Sequence, residues 1–288
     1  MAELKTDISL SKFTRFKTGG RADLFFAPDS ADELSQFLRG NTARPITVLG
    51  FGSNVLIRDG GIGGVVIFTG GMNQVNSQQS TVNSPQSTVI AGAGAAMPMI
   101  AGFALKHSIA GFEFMVGIPG TAAGGLATNA GCFGGQISDV LVGVSGLDFD
   151  GNPIDIPAAD LCLSYRAAKL PKEFIITELK FRGIPGKAAE IRQKMDDIIA
   201  KKTAAQPIDA RTAGSVFKNP DGGAAWRRIL DAFPNGLAVG GARISDKHAN
   251  FIIADGDCRS ADIEDLIKQI QAKTGLELEI KILGNDTN

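Results

Sequence analysis

The chain has 288 residues, of which 44% are apolar, enough to fill the cores of more than one soluble domain. Its 29 basic and 30 acidic residues leave a formal charge of -1, so no general field attracts nucleic acid or an anionic membrane. Three separated cysteines without Cys-x-x-Cys spacing, and only two histidines, argue against a metal site or a disulfide framework.

Two further features of the composition set expectations for location and ligand. Residues 1–10 are polar and lack the apolar core of a signal peptide, and no run of roughly 18 apolar residues occurs, so we expect a cytoplasmic protein. Glycine accounts for 36 of the 288 residues, without a collagen-like period. The glycines cluster in runs, which is typical where a backbone approaches a large ligand closely.

The N-terminal part predicts a helix followed by short strands. Ser30-Ala31-Asp32-Glu33 has the form of a capping box and begins an amphipathic helix. Residues 46–49 predict a strand that ends at the glycine-containing loop 50–54. The strands expected at residues 55–57 and 65–68 are separated by an Asp-Gly-Gly turn, which predicts a β-hairpin.

Neither of two glycine motifs predicts a Rossmann dinucleotide site. After the loop 50–54, Val55 stands where that fingerprint needs its third glycine, and no helix follows directly. After Gly92-Ala93-Gly94 a helix is predicted from Pro98, but Met97 replaces the third glycine.

The middle of the chain combines an irregular segment with strands. Residues 111–135 are too broken by Gly and Pro for a regular element and too apolar for a solvated linker, which indicates the lining of a buried ligand site. The tetrapeptide Gln-Ser-Thr-Val occurs at residues 79–82 and again at 86–89, and this duplication predicts a loop or an edge hairpin. Further strands are predicted around residues 144–149, 154–156 and 174–181.

The C-terminal part predicts a connecting helix and a small α+β unit. Apolar residues recur at helical spacing from Ile191 to Ile199, before Pro207. The Lys201-Lys202 pair near the end of this helix is interpreted as a solvated face. Beyond it we expect a helix around residues 224–232, a strand near 251–253, a helix capped by Ser260, and a final strand after Gly275.

The segment 214–220, Gly-Ser-Val-Phe-Lys-Asn-Pro, places a hydroxyl, a cation and an amide close together. We interpret it as a turn held by its terminal Gly and Pro, in which Ser215, Lys218 and Asn219 can bind an anion and donate a proton. The alternative is an ordinary polar loop, so the interpretation depends on other parts of the chain.

Four separated blocks stand out in chain order. They are Thr18-Gly19-Gly20 with Ala22-Asp23; Leu49-Gly50-Phe51-Gly52-Ser53-Asn54-Val55-Leu56; Gly117-Ile118-Pro119-Gly120-Thr121 through Asn129-Ala130-Gly131; and residues 214–220 with Gly240-Gly241-Ala242 and Lys247-His248-Ala249-Asn250-Phe251. Together they resemble the UDP-N-acetylenolpyruvoylglucosamine reductases over nearly the whole chain, in the shorter subclass that lacks an extra substrate-covering loop. Two positions depart from the family pattern, at Ala123-Gly124, where consecutive glycines are usual, and at Cys132-Phe133, where tyrosine is the usual aromatic residue.

The resemblance implies an α+β fold in which an FAD-binding domain of the vanillyl-alcohol-oxidase type precedes a small α+β substrate domain. The implied FAD-binding subdomains are residues 1–70 and 71–183, followed by a connecting helix at 184–205 and the substrate-binding domain at 206–288. The implied reaction is the NADPH-dependent reduction of UDP-N-acetylglucosamine enolpyruvate to UDP-N-acetylmuramate through non-covalently bound FAD. This step serves peptidoglycan synthesis, and through it cell shape and division. We expect a monomer with no metal and no nucleic-acid or membrane partner.

The resemblance also assigns the cofactor site. The loop 50–54 would wrap the FAD pyrophosphate with free backbone N–H groups, with no need for basic side chains, and the segments 117–121 and 129–131 would hold the cofactor near the isoalloxazine. The implied cofactor-binding residues are Gly50, Phe51, Gly52, Ser53, Asn54, Val55, Gly117, Ile118, Pro119, Gly120, Thr121, Gly124, Asn129 and Gly131.

Three residues match the implied catalytic roles. Ser215 matches the family's proton donor, Arg166 the arginine that pairs with the substrate carboxylate, and Glu279 the carboxylate that assists protonation. Tyr165 is implied to contact the diphosphate or sugar of the substrate. Lys218 and Asn219 together suit a pyrophosphate shared by NADPH and UDP, and the alternative is that they only satisfy their turn.

Simpler interpretations of these residues stay open at this point. Arg166 can be a solvated cation at a strand end, and Glu279 a surface residue of the last strand, with Glu277 as its nearest rival. His248 and His107 are interpreted as structural. One alternative function is a flavin oxidase with covalently attached FAD, against which the absence of histidine from residues 50–54 argues. Another is a catalytically silent nucleotide-sugar or flavin-binding protein, against which the presence of Ser215, Arg166 and Glu279 together argues.

Overall fold

The protein is described here by a computed structural model that covers residues 2–41, 45–79 and 87–286. Helix starts follow the sequence signals, because the Ser30 side chain accepts a hydrogen bond from the Glu33 amide and Pro98 lies in the first turn of the second helix. The α-helices in these ranges are α1 (Ala31–Gly40), α2 (Met97–Lys106), α3 (Ala122–Ala127), α4 (Ala188–Ala205), α5 (Ala225–Ala232) and α6 (Ser260–Thr274).

Among the described residues, no helix is both long and apolar enough to cross a bilayer. The strands there are β1 (Lys5–Ser9), β2 (Arg21–Phe26), β3 (Ile46–Leu49), β4 (Val55–Ile57), β5 (Ile62–Phe68), β6 (Val75–Gln79), β7 (Ser87–Gly92), β8 (Ile109–Ala110), β9 (Gly131–Cys132), β10 (Gly135–Gln136), β11 (Leu141–Asp148), β12 (Pro153–Pro157), β13 (Phe174–Pro185), β14 (Ala238–Val239), β15 (Ala242–Ile244), β16 (Ile252–Ala254) and β17 (Lys281–Leu283).

The first sheet has the strand order β1-β2-β5-β3, and the hairpin predicted between residues 55–57 and 65–68 is wrong. Strand β5 pairs in parallel with β2 and β3, whereas β4 pairs in parallel with the C-terminal strand β17. Gly61 redirects the chain between β4 and β5, because its φ is 77° and a side chain there would clash with the backbone of Arg21. Strand β4 is thus left free to bind the far end of the chain.

The second sheet has the order β12-β11-β13-β7-β6, with antiparallel neighbours, and β8 pairs with β13. Its strands and the edge hairpin β6–β7 confirm the sequence prediction, although residues 80–86 of the duplication lie outside the described ranges. The expectation of no regular element in residues 111–135 is wrong for α3. That helix forms because Thr121 caps it, accepting a hydrogen bond from the Gly124 amide.

The C-terminal part contains the sheet β14-β15-β16 with α5 and α6. Its apolar core is shared with the N-terminal part, because buried Phe16 and Leu56 belong to the same cluster as Phe217, Ile229 and Ile267. The predicted α+β class is confirmed, while the predicted unit boundaries stay predictions.

Residues 215–217 are paired on both sides, with antiparallel bridges from Ser215 to Phe251 and from Phe217 to Leu278, so the interpretation of the segment 214–220 as one turn is wrong. Gly214 supplies the bend before these residues, with a φ of 83°. Residues 215–217 therefore form a short central strand, with Phe251, just before β16, on one side and Leu278, just before β17, on the other.

Helix α6 is capped by a residue from the other end of the chain. The predicted cap, Ser260, is instead the first helical residue, and its hydroxyl donates to the carbonyl of Ile57. The Asp59 carboxylate accepts hydrogen bonds from the amides of Ser260 and Ala261, each at 3.0 Å. This contact satisfies two of the helix's free N–H groups and ties the turn after β4 to the C-terminal part.

Asp59→Ala is expected to lower the free energy of unfolding by about 1 kcal/mol, the usual cost of losing a helix cap. Urea unfolding followed by circular dichroism measures it. The matched control is Asp196→Ala, which removes an exposed carboxylate from the middle of α4. Equal stability of the two variants would show that the Asp59 cap contributes nothing.

Candidate functional site

A cavity of about 480 Å³ lies where the N-terminal and C-terminal parts of the chain meet. Its size is typical of a site for a cofactor or a drug-sized ligand. Most of the predicted cofactor residues line it, together with all three predicted catalytic residues. These lining residues are Gly50, Phe51, Gly52, Ser53, Asn54, Val55, Gly117, Ile118, Pro119, Thr121, Gly124, Gly131, Arg166, Ser215 and Glu279.

Close backbone packing shapes the wall that runs from the loop 50–54 to Gly117. A methyl group on Gly50 would lie 2.6 Å from the Thr121 hydroxyl, and one on Gly117 would lie 2.5 Å from the Cys132 sulfur. Gly52 has a φ of 54° and abuts the carbonyl of Phe13. These glycines keep the wall free of side chains, so a large planar or phosphorylated ligand can lie against the backbone.

The loop 50–54 is suited to an anion. Among the described residues, the amide groups of Phe51, Gly52 and Ser53 have no acceptor. The nearby Thr212 hydroxyl is buried, lines the cavity, and also has no partner in the described part of the chain. Because free N–H groups that converge on a loop form an anion nest, these donors fit the pyrophosphate of a dinucleotide.

The cavity carries more positive than negative charge. Within the described ranges its lining contains four cationic side chains, Arg15, Arg166, Lys202 and Lys281, and one carboxylate, Glu279. The interpretation of Lys202 as solvated is therefore wrong, whereas the expectation that backbone N–H groups of the loop 50–54 bind the pyrophosphate without basic side chains stays a prediction. The cations come from segments far apart in sequence, which is why the composition did not reveal them.

Ser215 is held by two neighbouring segments. On one side the Asn250 side chain accepts from the Phe217 amide at 2.9 Å and donates to the Phe217 carbonyl at 2.8 Å. On the other side the Glu279 amide donates to the carbonyl of Val216 at 2.8 Å. Asn250 is 4% exposed, so its amide acts as a buried strand partner. Ser215 and Glu279 are thereby fixed on adjacent backbones.

Arg166 is presented by a tight turn. Ser164 and Ala167 exchange backbone hydrogen bonds, and Arg166 has a φ of 55°, in the left-handed region. Buried Asn129 supports this turn by donating to the Ser164 carbonyl at 3.2 Å. Asn129, predicted to bind cofactor, therefore lies behind the cavity wall, and Gly120 also lies outside the lining, where it makes room for the Ser53 hydroxyl.

Arg166 and Glu279 form an ion pair inside the cavity. The Arg166 Nε lies 2.6 Å from Glu279 Oε1, at an angle that departs from hydrogen-bond geometry. The Glu279 side chain is 12% exposed, so the surface interpretation of this residue is wrong. Burial raises the pKa of Glu279, and the neighbouring Arg166 charge opposes that shift.

The predicted substrate residues lie outside the cavity lining. Tyr165 is 59% exposed beside Arg166. Lys218 pairs with Glu277 at 3.3 Å, and the Asn219 side chain accepts a hydrogen bond from the first amide of α5. Glu277, the rival of Glu279, is 79% exposed, so it does not face the cavity.

The two histidines are placed as structural residues. His248 packs between the rings of Trp226 and Phe251, and burial lowers its pKa. His107 packs on Phe103 of α2. No group of three or more potential metal ligands occurs among His, Cys, Asp and Glu in residues 2–41, 45–79 and 87–286.

The glycine wall, the anion nest and the excess of cations define a site for a large anionic cofactor in an α+β protein. A family model described as an FAD binding domain matches residues 22–156, and one described as the C-terminal domain of UDP-N-acetylenolpyruvoylglucosamine reductase matches residues 206–283. Because the chain is also 40% identical, over 98% of its length, to a protein of that name, it belongs to the UDP-N-acetylenolpyruvoylglucosamine reductase family. The predicted resemblance, the FAD cofactor and the enzyme class are confirmed.

Relatives and a solved structure agree over the whole chain. A protein named UDP-N-acetylenolpyruvoylglucosamine reductase from Rickettsia akari (strain Hartford) is 40% identical over 98% of this chain and 96% of its own length. One of the same name from Sphingopyxis alaskensis is 39% identical over 97% of this chain and 94% of its own. The crystal structure of the Thermus caldophilus reductase has a TM-score of 0.85 at 29% identity, covering 99% of this chain and 100% of that chain.

Gly52→Ala is expected to weaken FAD binding by about tenfold or more, because a methyl group would meet the Phe13 carbonyl in a left-handed backbone. Fluorescence titration of the apoprotein with FAD measures the dissociation constant. The control is Gly102→Ala in α2, where nothing lies within 4 Å of an added methyl group. An unchanged affinity in Gly52→Ala would show that the loop is free to relax.

Arg166→Met is expected to raise the pKa of Glu279 further, because burial is then unopposed. At a pH between the pKa of Glu279 in the unfolded state and its higher pKa in the folded state, the folded protein binds more protons. The free energy of unfolding therefore falls as the pH rises through that window. Infrared difference spectra at a series of pH values measure the titration of Glu279 through the band of its protonated carboxyl. The band is assigned to Glu279 by its loss in Glu279→Gln. A downward shift of that band's midpoint would contradict the ion pair.

Proposed function

We propose that this chain reduces UDP-N-acetylglucosamine enolpyruvate to UDP-N-acetylmuramate with NADPH, and that Ser215, Arg166 and Glu279 carry the chemistry at the substrate. One observation supports this most strongly: the three side chains, from separate segments of the chain, line the same cavity as the FAD-type loop 50–54. When bound, FAD supplies a centre that accepts a hydride from NADPH and passes a hydride to the substrate.

The substrate is an enol ether that carries a carboxylate. Hydride addition at its methylene carbon places negative charge on the adjacent carbon, and the carboxylate can take up that charge as an enolate. A fixed cation beside the carboxylate therefore lowers the barrier. Arg166 is suited to this role because its turn is anchored by Asn129 and its guanidinium is already charged and desolvated.

The same carbon must then receive a proton. A serine hydroxyl is a weak acid in water, so its contribution depends on placement, and the strand 215–217 is fixed on both sides. Glu279 is attached to that strand through its backbone amide, and burial raises its pKa, so it retains a proton to higher pH than an exposed glutamate. We assign Ser215 as the direct donor and Glu279 as the group that assists it.

The remaining substrate is assigned to the exposed rim. Tyr165 lies beside Arg166, and Lys218 lies three residues from Ser215 with a partly exposed ammonium. We assign both to the diphosphate or sugar, which are anionic or polar and project out of the cavity. Asn219 is assigned to the same region, with its side-chain oxygen committed to α5 and its amide nitrogen left to donate.

The domain roles, cellular location and assembly complete the proposal. Residues 1–70 and 71–183 bind FAD, 184–205 connects, and 206–288 binds the substrate. Cys132, Cys162 and Cys258 are free thiols, which fits the reducing cytoplasm where NADPH and nucleotide sugars occur. Large exposed apolar side chains are scattered in sequence, from Leu4 to Leu230, which fits a monomer without nucleic-acid or membrane partners.

Ser215→Ala is expected to leave anaerobic reduction of FAD by NADPH unchanged and to slow reoxidation by UDP-N-acetylglucosamine enolpyruvate about 100-fold to 10,000-fold. Stopped-flow absorbance at the flavin band resolves the two halves. Thr203→Ala is the control, because Thr203 is an exposed residue near the end of α4. Equal loss of both halves in Ser215→Ala would contradict the assigned role.

A further inference from the structure

Asn250 makes three hydrogen bonds to two consecutive residues of the strand that carries Ser215. Its backbone carbonyl accepts from the Val216 amide at 2.9 Å. Its side-chain oxygen accepts from the Phe217 amide at 2.9 Å, and its side-chain nitrogen donates to the Phe217 carbonyl at 2.8 Å. Two residues of one strand therefore face a single residue of the neighbouring segment, which is the arrangement of a β-bulge. A bulge bends its strand and changes where the adjacent side chains point.

The Asn250 side chain takes the place of a missing strand residue. The neighbouring segment turns away here, because the Phe251 amide donates back to the His248 carbonyl at 2.9 Å. Within the described ranges, neither the amide nor the carbonyl of Phe217 has a backbone partner. Phe217 is 1% exposed, so water does not satisfy these groups either. The amide of an asparagine offers one acceptor and one donor, like a peptide group, and so satisfies both.

The residue next to Ser215 is also held from the opposite side, by Glu279. The Val216 carbonyl accepts from the Glu279 amide at 2.8 Å, while the Val216 amide donates to Asn250. Val216 is fully buried, so these contacts are shielded from water. Asn250 itself lies behind the cavity wall, which Ser215 and Phe251 line. It therefore determines where Ser215 lies relative to Glu279 through the backbone, without contacting a ligand.

We propose that Asn250 is a positioning residue for proton delivery, which holds the Ser215 hydroxyl at the distance from Glu279 and from the substrate carbon that protonation requires. The proposal rests on the roles proposed above for Ser215 and Glu279. Proton transfer needs a short distance between donor and acceptor, and a displacement of about 1 Å can cost about 100-fold in rate. Reduction of FAD by NADPH does not use the Ser215 hydroxyl, so that half of the reaction does not depend on Asn250.

Asn250→Ala tests this in the intact FAD-loaded protein, with the two half-reactions followed separately by anaerobic stopped-flow absorbance. We expect reduction of FAD by NADPH within about twofold of the original rate, and reoxidation by UDP-N-acetylglucosamine enolpyruvate slowed about 10-fold to 100-fold. Because Asn250 acts through Ser215, the double variant reoxidises no more slowly than Ser215→Ala alone. The smaller change Asn250→Ser, which keeps one hydrogen-bonding group, gives an intermediate rate.

Two controls separate positioning from a general loss of stability. Ile267→Val removes one methyl group from the buried C-terminal core and so destabilises the folded chain. We expect its two half-reactions to keep their original ratio. Asn235→Ala removes the side chain of an exposed asparagine, and we expect it to change neither half-reaction.

Four kinetic outcomes would contradict the proposal. It is wrong if Asn250→Ala slows both half-reactions equally, if it changes neither, if its effect adds to that of Ser215→Ala, or if Ile267→Val loses reoxidation in the same selective way. It is also wrong if circular dichroism shows that neither Asn250→Ala nor Asn250→Ser folds, since Asn250 is then required for folding. Failure of Ser215→Ala to slow reoxidation would instead contradict the proposed function.

Discussion

The parallel pairing of β4 with β17 is the constraint on which the site depends. Three residues on each strand are in register, from Val55 opposite Lys281 to Ile57 opposite Leu283, and they join parts of the chain more than 200 residues apart. Strand β4 follows the loop 50–54 directly, and Glu279 precedes β17 by two residues. One short pairing therefore fixes the position of a candidate catalytic carboxylate relative to the anion-binding loop.

Other contacts repeat the same connection. The Asn54 side chain donates to the carbonyl of Glu279, Asp59 caps α6, and Arg58 makes a two-nitrogen contact with Glu264 at 2.9 Å. Phe16 and Leu56 lie within the C-terminal core. Because these interactions combine packing, helix capping and ion pairing across the same boundary, the cavity walls are held with little freedom to separate, as electrostatic preorganisation requires.

The sequence predicted much of the site because its motifs are local. The loop 50–54, the segment 117–121 and Ser215 belong to the short blocks that carry the family resemblance, and all of these residues except Gly120 line the cavity. Two of the wrong predictions concern long-range pairing. The hairpin after β4 failed because a strand pattern does not state its partner, and the turn at 214–220 failed because its extended form depends on Asn250 and Glu279 from elsewhere in the chain.

Charge placement was harder to predict for the same reason. Lys202 looks solvated beside Lys201, and only its spacing of four residues from Ile198 could have indicated that it faces inward. Arg15 and Lys281 are near neighbours of the site only after the two ends of the chain have met. A composition with almost no net charge therefore conceals a cavity that is strongly cationic, since tertiary structure collects the cations.

Hydrogen exchange in the presence and absence of FAD tests the coupling of the two ends most directly. The Lys281 amide donates to the Asn54 carbonyl at 3.0 Å, so a ligand that orders the loop must also order β17. The account predicts that FAD slows amide exchange in a peptide covering residues 279–283 together with one covering residues 50–57. Protection confined to the N-terminal peptide, with unchanged exchange in residues 279–283, would contradict it.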